Sequence, residues 1–133
     1  MRYVIAYGAI LAAFCIIDGI WLSVMGPKLY RPTLGNILLP SVNFAPAIVF
    51  YLLYPAGVLV FAVMPALGLA SALTALMHGA LLGAIAYATY DLTNQATLRN
   101  WSVTLSVIDI GWGSFATAAS AAAAYAATRA IGW

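Results

Sequence analysis

Four stretches of the chain, residues 3–25, 45–64, 69–90 and 102–128, are almost wholly apolar. Each reaches the roughly 20 residues that a helix needs to cross the hydrocarbon core of a bilayer. Only eight of the 133 residues are charged: Arg2, Lys28, Arg31, Arg99 and Arg129, against Asp18, Asp91 and Asp109. A soluble domain carries about a quarter charged residues, and a soluble fold this small leaves much of its surface in water. A soluble enzyme, a nucleic-acid binder and a disordered chain are therefore excluded. The net charge of +2 contains no basic run that could hold nucleic acid. Cys15 is the only cysteine, so an internal disulfide and a cysteine metal cluster are excluded. The N-terminal apolar run outlasts a signal peptide and meets no small-residue cleavage site, so it reads as a retained helix.

These signals predict an all-α fold: a four-transmembrane-helix antiparallel bundle forming one integral membrane domain over residues 1–133, with an interfacial loop between the first two helices. Gly26-Pro27 is expected to end the first helix. Pro46 opens the second and Pro65 closes it, leaving a short 65–68 hairpin turn. Asn100 or Ser102 is expected to cap the fourth. Pro55 should kink the second helix and free the carbonyl of Tyr51. Up-down-up-down connectivity places both termini at one end, where Arg2, Arg129, Tyr3, Tyr7, Tyr125 and Trp133 read as interface anchors. The 26–44 and 91–101 segments form the other end, called the loop end below. By charge the loop end favours the cytoplasm, by one residue.

Polar residues gather towards the loop end. Asp18 and Asp109 each lie about seven residues from it, so both carboxyls are expected roughly 10 Å deep. Asp91 lies at the same end of the third helix. Tyr51 and Tyr54 on the second helix, Tyr87 and Tyr90 on the third, and Trp21 and Trp112 flank this level. An aspartate in the middle of a membrane helix costs about 2.5–3.5 kcal/mol on the insertion scale, and such acids mark function or internal pairing. The structural alternative is an acid that is neutral, or bonded to a tyrosine, a tryptophan N–H or a cation, and Lys28, Arg31 and Arg99 stand at the same end for ion pairing.

Two acids sit in matching surroundings, Asp18-Gly-Ile-Trp21 and Asp109-Ile-Gly-Trp112. A spacing of three puts acid and indole on nearly one helix face, and two such elements at equal depth on antiparallel helices hint at a two-fold arrangement. Tyr87, Tyr90, Asp91 and Asn94 follow the i, i+3, i+4, i+7 spacing and form one polar stripe if the third helix continues that far. The alternative is a helix end at which Asp91 or Thr93 caps the turn. Together with Tyr54, Gly57, the Tyr90-Asp-Leu-Thr-Asn94 run and Gly113, these elements resemble a bacterial family of small predicted membrane proteins of unknown function. The resemblance spans nearly the whole chain. It implies a four-helix membrane protein and no agreed activity.

His78 stands thirteen residues before Asp91, turned away from the stripe, and reads as a packing or helix–helix bonding residue. No metal site and no cofactor are expected, because one distant histidine cannot assemble a ligand set. Gly79, Gly83 and the Ala-rich 115–125 stretch read as close helix packing, within the bundle or in an oligomer. The 26–44 loop mixes charge with Leu34, Ile37, Leu38 and Leu39, as an interfacial segment does, and could roof the acids. The leading expectation is a site that binds or processes an amphipathic, lipid-like or isoprenoid-like molecule by proton transfer, in a multi-pass protein of a bacterial inner membrane. Asp18, Asp109 and Asp91 are its candidate catalytic residues, and Trp21, Tyr51, Tyr54, Tyr87, Tyr90, Asn94 and Trp112 its candidate binding residues. Whether it is an enzyme is left open. The alternatives are a small proton-coupled transporter, similar to the small multidrug exporters in architecture only, and an accessory subunit of a larger membrane complex. Expected partners are the bilayer, an amphipathic small molecule, and a homo-oligomer or larger complex, with no nucleic acid.

Overall fold

The computed structural model describes residues 1–132; Trp133, expected among the interface anchors, lies outside the described residues. The elements in chain order are α1 (Arg2–Met25), a π-helical turn (Gly26–Tyr30), α2 (Arg31–Leu34), a short 3-10 turn (Gly35–Ile37), α3 (Phe44–Val58), a second π-helical turn (Leu59–Val63), α4 (Met64–Leu69), α5 (Ala72–Thr97) and α6 (Val103–Ala130). Three continuous helical stretches, Arg2–Ile37, Phe44–Leu69 and Ala72–Thr97, are long and apolar enough to cross a membrane.

The fourth, α6, has 28 residues and the same reach, but it is the central helix. Ten of its residues are buried, against four on α1 and four on α5. Ser106, Thr117, Ser120, Ala121, Ala124 and Thr128 among its small side chains face protein rather than lipid. The lipid-facing surface is made of residues such as Ile16, Leu53, Leu81, Val107 and Phe115, each more than half exposed.

The two expected proline stops do not stop the chain. Gly26-Pro27 opens a wider turn in which the Arg31 N–H reaches the Gly26 carbonyl, and Pro65 lies inside α4. In the second π turn the Met64 N–H reaches back to the Leu59 carbonyl. Wider turns of this kind accommodate a proline ring and let a membrane helix continue past it. Pro65 has no N–H for the carbonyl four residues back, that of Phe61, and the His78 Nδ1–H donates to it at 3.1 Å. His78 is thus a helix–helix bonding residue whose partner is left open by a proline. His78→Ala is expected to cost about 1 kcal/mol, and much less in a Pro65→Ala background, where residue 65 regains its own donor. Unfolding measured across this double-mutant cycle checks the assignment; equal costs in both backgrounds would refute it.

Near Pro55 the Leu52 carbonyl accepts the Tyr7 hydroxyl at 2.6 Å, beside the Tyr51 carbonyl from which the proline withholds an N–H. The hairpin turn falls at Ala70-Ser71 rather than at 65–68. Ala70 is left-handed at φ 49°, with the Ser71 N–H on the Ala66 carbonyl at 3.0 Å and the Ala70 N–H on the Leu67 carbonyl at 3.3 Å. This is a Schellman ending with alanine where glycine is usual. Ala70→Gly is expected to raise stability by about 1 kcal/mol in an unfolding titration, and a loss would contradict it. Ser71 and Ser102 cap α5 and α6, accepting from the Thr74 and Leu105 N–H groups at 3.1 and 3.0 Å.

Ala6 and Ile10 of α1 pack with Ala121 and Ala124 of α6, and with Val58, Ala62, Val63, Ala66, Leu67 and Ala75. This apolar core fills the terminal half of the bundle. α1 and α6 are therefore antiparallel. The close approach of α5 to α6 rests on small residues: a methyl at Gly79 would meet the Ala118 Cα at 2.9 Å, and one at Gly83 would meet Thr117 Oγ1 at 2.7 Å. The small-residue stretch of α6 is consumed within the bundle, with Ala116, Thr117, Ser120, Ala121 and Ala124 all fully buried.

Candidate functional site

Each Asp-x-x-Trp element puts an acid and an indole on one face of its helix, but the pairing is crossed between helices. The Trp112 indole N–H of α6 donates to Asp18 Oδ1 of α1 at 3.0 Å. The Trp21 indole N–H of α1 donates to the Tyr30 hydroxyl at 2.9 Å, and that hydroxyl donates to Asp109 Oδ1 of α6. The two indoles stack with centroids 4.3 Å apart and planes 5° from parallel. Each indole thus serves the acid of the other helix, one directly and one through Tyr30. The second oxygen of Asp18 accepts the Tyr51 hydroxyl from α3.

Tyr30 reaches Asp109 because α1 continues through Gly26-Pro27. Ending the first helix there, as the sequence suggests, turns Tyr30 into an ordinary loop residue and hides its role. The loop is held down at its far end as well. Leu34, Trp101 and Leu105 form a small core with Leu29 and Tyr30 against it, and Asn100 Nδ2 donates to the Leu34 carbonyl at 3.1 Å.

Beneath this loop lies a cavity of ≈ 760 Å³. Its polar lining comes from Asp18, Asp109, Tyr30, Tyr51, Tyr54, Tyr87, Tyr90 and Trp112, with Arg31 in the roof; Leu22, Leu34, Leu38, Val42, Phe50 and Ala86 supply apolar wall. Seven of the ten expected site residues therefore share one space. Tyr30, Arg31 and Phe50 are additional to that set. Tyr54 is fixed by a 2.7 Å hydrogen bond to Thr117, and the Tyr87 ring lies directly on Gly113.

Three expected site residues do not line the cavity. Trp21 lies behind Trp112 and borders a separate apolar groove of ≈ 350 Å³. Asn94 stands further along α5, which runs on to Thr97 and makes the expected stripe a real helical face. Asp91 is fully buried. It caps no turn, and neither does Thr93, which bonds back to the carbonyls of Thr89 and Tyr90. Asp91's carbonyl accepts from Ser106 Oγ at 3.4 Å, but neither carboxyl oxygen finds a donor. The group that the carboxyl faces is that of Asp109.

The acids are strongly shielded: Asp18 is 6% exposed and Asp109 3%. Their hydrogen-bond donors are hydroxyl and indole groups, and among the described residues no lysine or arginine bonds to any of the three carboxyls. Of the structural alternatives, bonding to tyrosine and tryptophan is what the structure adopts for Asp18 and Asp109, and ion pairing is not. No three His, Cys, Asp or Glu side chains converge as metal ligands among the described residues.

No curated protein and no solved structure matches the chain at a significant level. A family model described as "Predicted membrane protein (DUF2177)" matches residues 3–126, which takes in most of every helix and every residue of the cavity. The chain belongs to this family of membrane proteins, whose function is unknown, and is a multi-pass, all-helical member of it.

Proposed function

We propose that the protein binds an amphipathic, lipid-like or isoprenoid-like small molecule in the cavity beneath the 26–44 loop and passes a proton to or from its head. The observation that carries this reading is the mixed lining of one cavity: two shielded carboxyls and five tyrosines share it with leucine, valine and phenylalanine. Such a space accepts a molecule with one polar end. Asp18 and Asp109 each hold a tyrosine hydroxyl, and a carboxyl–hydroxyl pair can move a proton either way when a substrate group takes the place of one partner. The bacterial inner membrane is the setting we propose.

Transport through a single chain is less well supported, because Ala6, Ile10, Phe14, Val58, Ala62 and Val63 are wholly buried and fill the terminal half with apolar contacts. An accessory-subunit role loses much of its docking face, since Ala116, Ala121 and Ala124 of the Ala-rich stretch are buried within the bundle. Ala86 borders the cavity without any hydrogen-bonding duty, so Ala86→Trp fills the space and spares the acid network. Native mass spectrometry of the protein released from its membranes is expected to show an amphiphile on the wild type and its loss from Ala86→Trp, with the thermal transition retained. An unchanged complement of bound molecules in a folded Ala86→Trp protein would contradict the reading.

A further inference from the structure

The groups at the polar pole decide which kind of head fits. Four of the donors there are already engaged. The Tyr30 and Tyr51 hydroxyls and the Trp112 N–H all point at carboxyls, and the Tyr54 hydroxyl is shared with Thr117. Tyr87 and Tyr90 bring two further hydroxyls, each able to donate or accept, and carboxylate oxygen and the negative faces of aromatic rings complete the lining. Phe50 and Tyr54 stack at 5.1 Å, and the Tyr54 and Tyr87 rings meet edge to face at 6.5 Å. Carboxylate oxygens together with aromatic faces are the chemistry that recognises an organic ammonium group. Ionised carboxylates at this pole repel a phosphate or carboxylate head.

Two further observations point the same way. No lysine or arginine bonds to Asp18 or Asp109 among the described residues, and carboxylates shielded this far need a positive partner if they are to stay ionised. The one cation that borders the cavity is Arg31, in the roof with Leu34, Leu38 and Val42. A positive roof turns a cationic head away and towards the acids, while the apolar roof residues cover its hydrocarbon body.

Building on the amphiphile reading above, we propose that the ligand carries a cationic head, a protonated amine, seated between Asp18 and Asp109 against Tyr54, Tyr87 and Trp112. The experiment is a ranking of three probes of one chain length on the purified full chain in nanodiscs, below their micellar concentrations: octylammonium, octanol and octyl phosphate. The ammonium is expected to bind about tenfold tighter than the alcohol, with the phosphate weakest. Asp18→Asn and Asp109→Asn are each expected to weaken the ammonium about tenfold and leave the alcohol unchanged. Where an Asn variant fails to fold, the wild-type ranking decides alone. Octanol binding as tightly as the ammonium, or octyl phosphate binding tightest, overturns the cationic head and leaves the amphiphile site standing. Binding of none of the three, or binding equally strong in Ala86→Trp, overturns both.

Discussion

Gly83→Val is expected to be the most damaging single change outside the polar network. A Cβ at Gly83 overlaps the Gly113 carbonyl and stands 2.7 Å from Thr117 Oγ1. The first of these is backbone, so no rotamer change relieves it, and α5 must move away from α6. That movement breaks the Ser114 hydroxyl bond to the Ala80 carbonyl at 2.9 Å and dislodges Thr117 from Tyr54. Overpacking of a tight core costs about 3 kcal/mol when the backbone must shift. Gly111, on the same helix as Gly113, meets nothing within 4 Å. Gly111→Ala should therefore be neutral or gain about 1 kcal/mol. Denaturant or steric-trapping titration of the two variants gives opposite signs under this packing. Two variants of equal stability would mean that α5 and α6 are not held by these glycines.

The second large effect has the unusual sign. Asp91 is fully buried, its carboxyl oxygens lack donors, and it faces Asp109. Two acceptor-only groups in contact repel unless they share a proton. Asp91→Asn keeps the shape, removes a charge and supplies an N–H that can donate to Asp109. A charge-assisted hydrogen bond replaces an unsatisfied group, and stability is expected to rise by about 2 kcal/mol. An acid retained at a cost to the fold is the mark of a functional group. A destabilised Asp91→Asn in the same unfolding titration would make Asp91 a structural residue instead.

Much of this architecture was readable in the residues, and the failures have definite causes. Long apolar runs, three acids at one end and tyrosines at matching depth follow from helix rise and the cost of burying charge, so the four helical stretches and seven cavity residues were accessible. Helix ends at Pro27 and Pro65 were not. The rule that proline breaks a helix assumes the 3.6-residue turn, and both sites switch to a π turn that leaves room for the ring. Tyr30 was hidden by the same error, because its position depends on α1 continuing past Gly26. The crossed partners of Asp18 and Asp109 were equally out of reach. Spacing within a helix fixes which face a side chain shares, but which neighbour receives its hydrogen bond is settled by packing between helices. Asp91 showed its depth in the sequence, whereas its exclusion from the cavity depends on the rotation of α5 against α6.

The central claim is that the space between Asp18 and Asp109 holds the head of an amphipathic ligand. A cryo-electron microscopy map of the protein extracted with its native lipids tests that most directly. Elongated density is expected inside the cavity, its head within about 3 Å of the Asp18 and Asp109 carboxyls and its body under Leu34 and Leu38. A cavity closed by Tyr87 and Tyr90 swinging inward, or ordered lipid confined to the outer face around Ile16, Leu53 and Leu81, would contradict it.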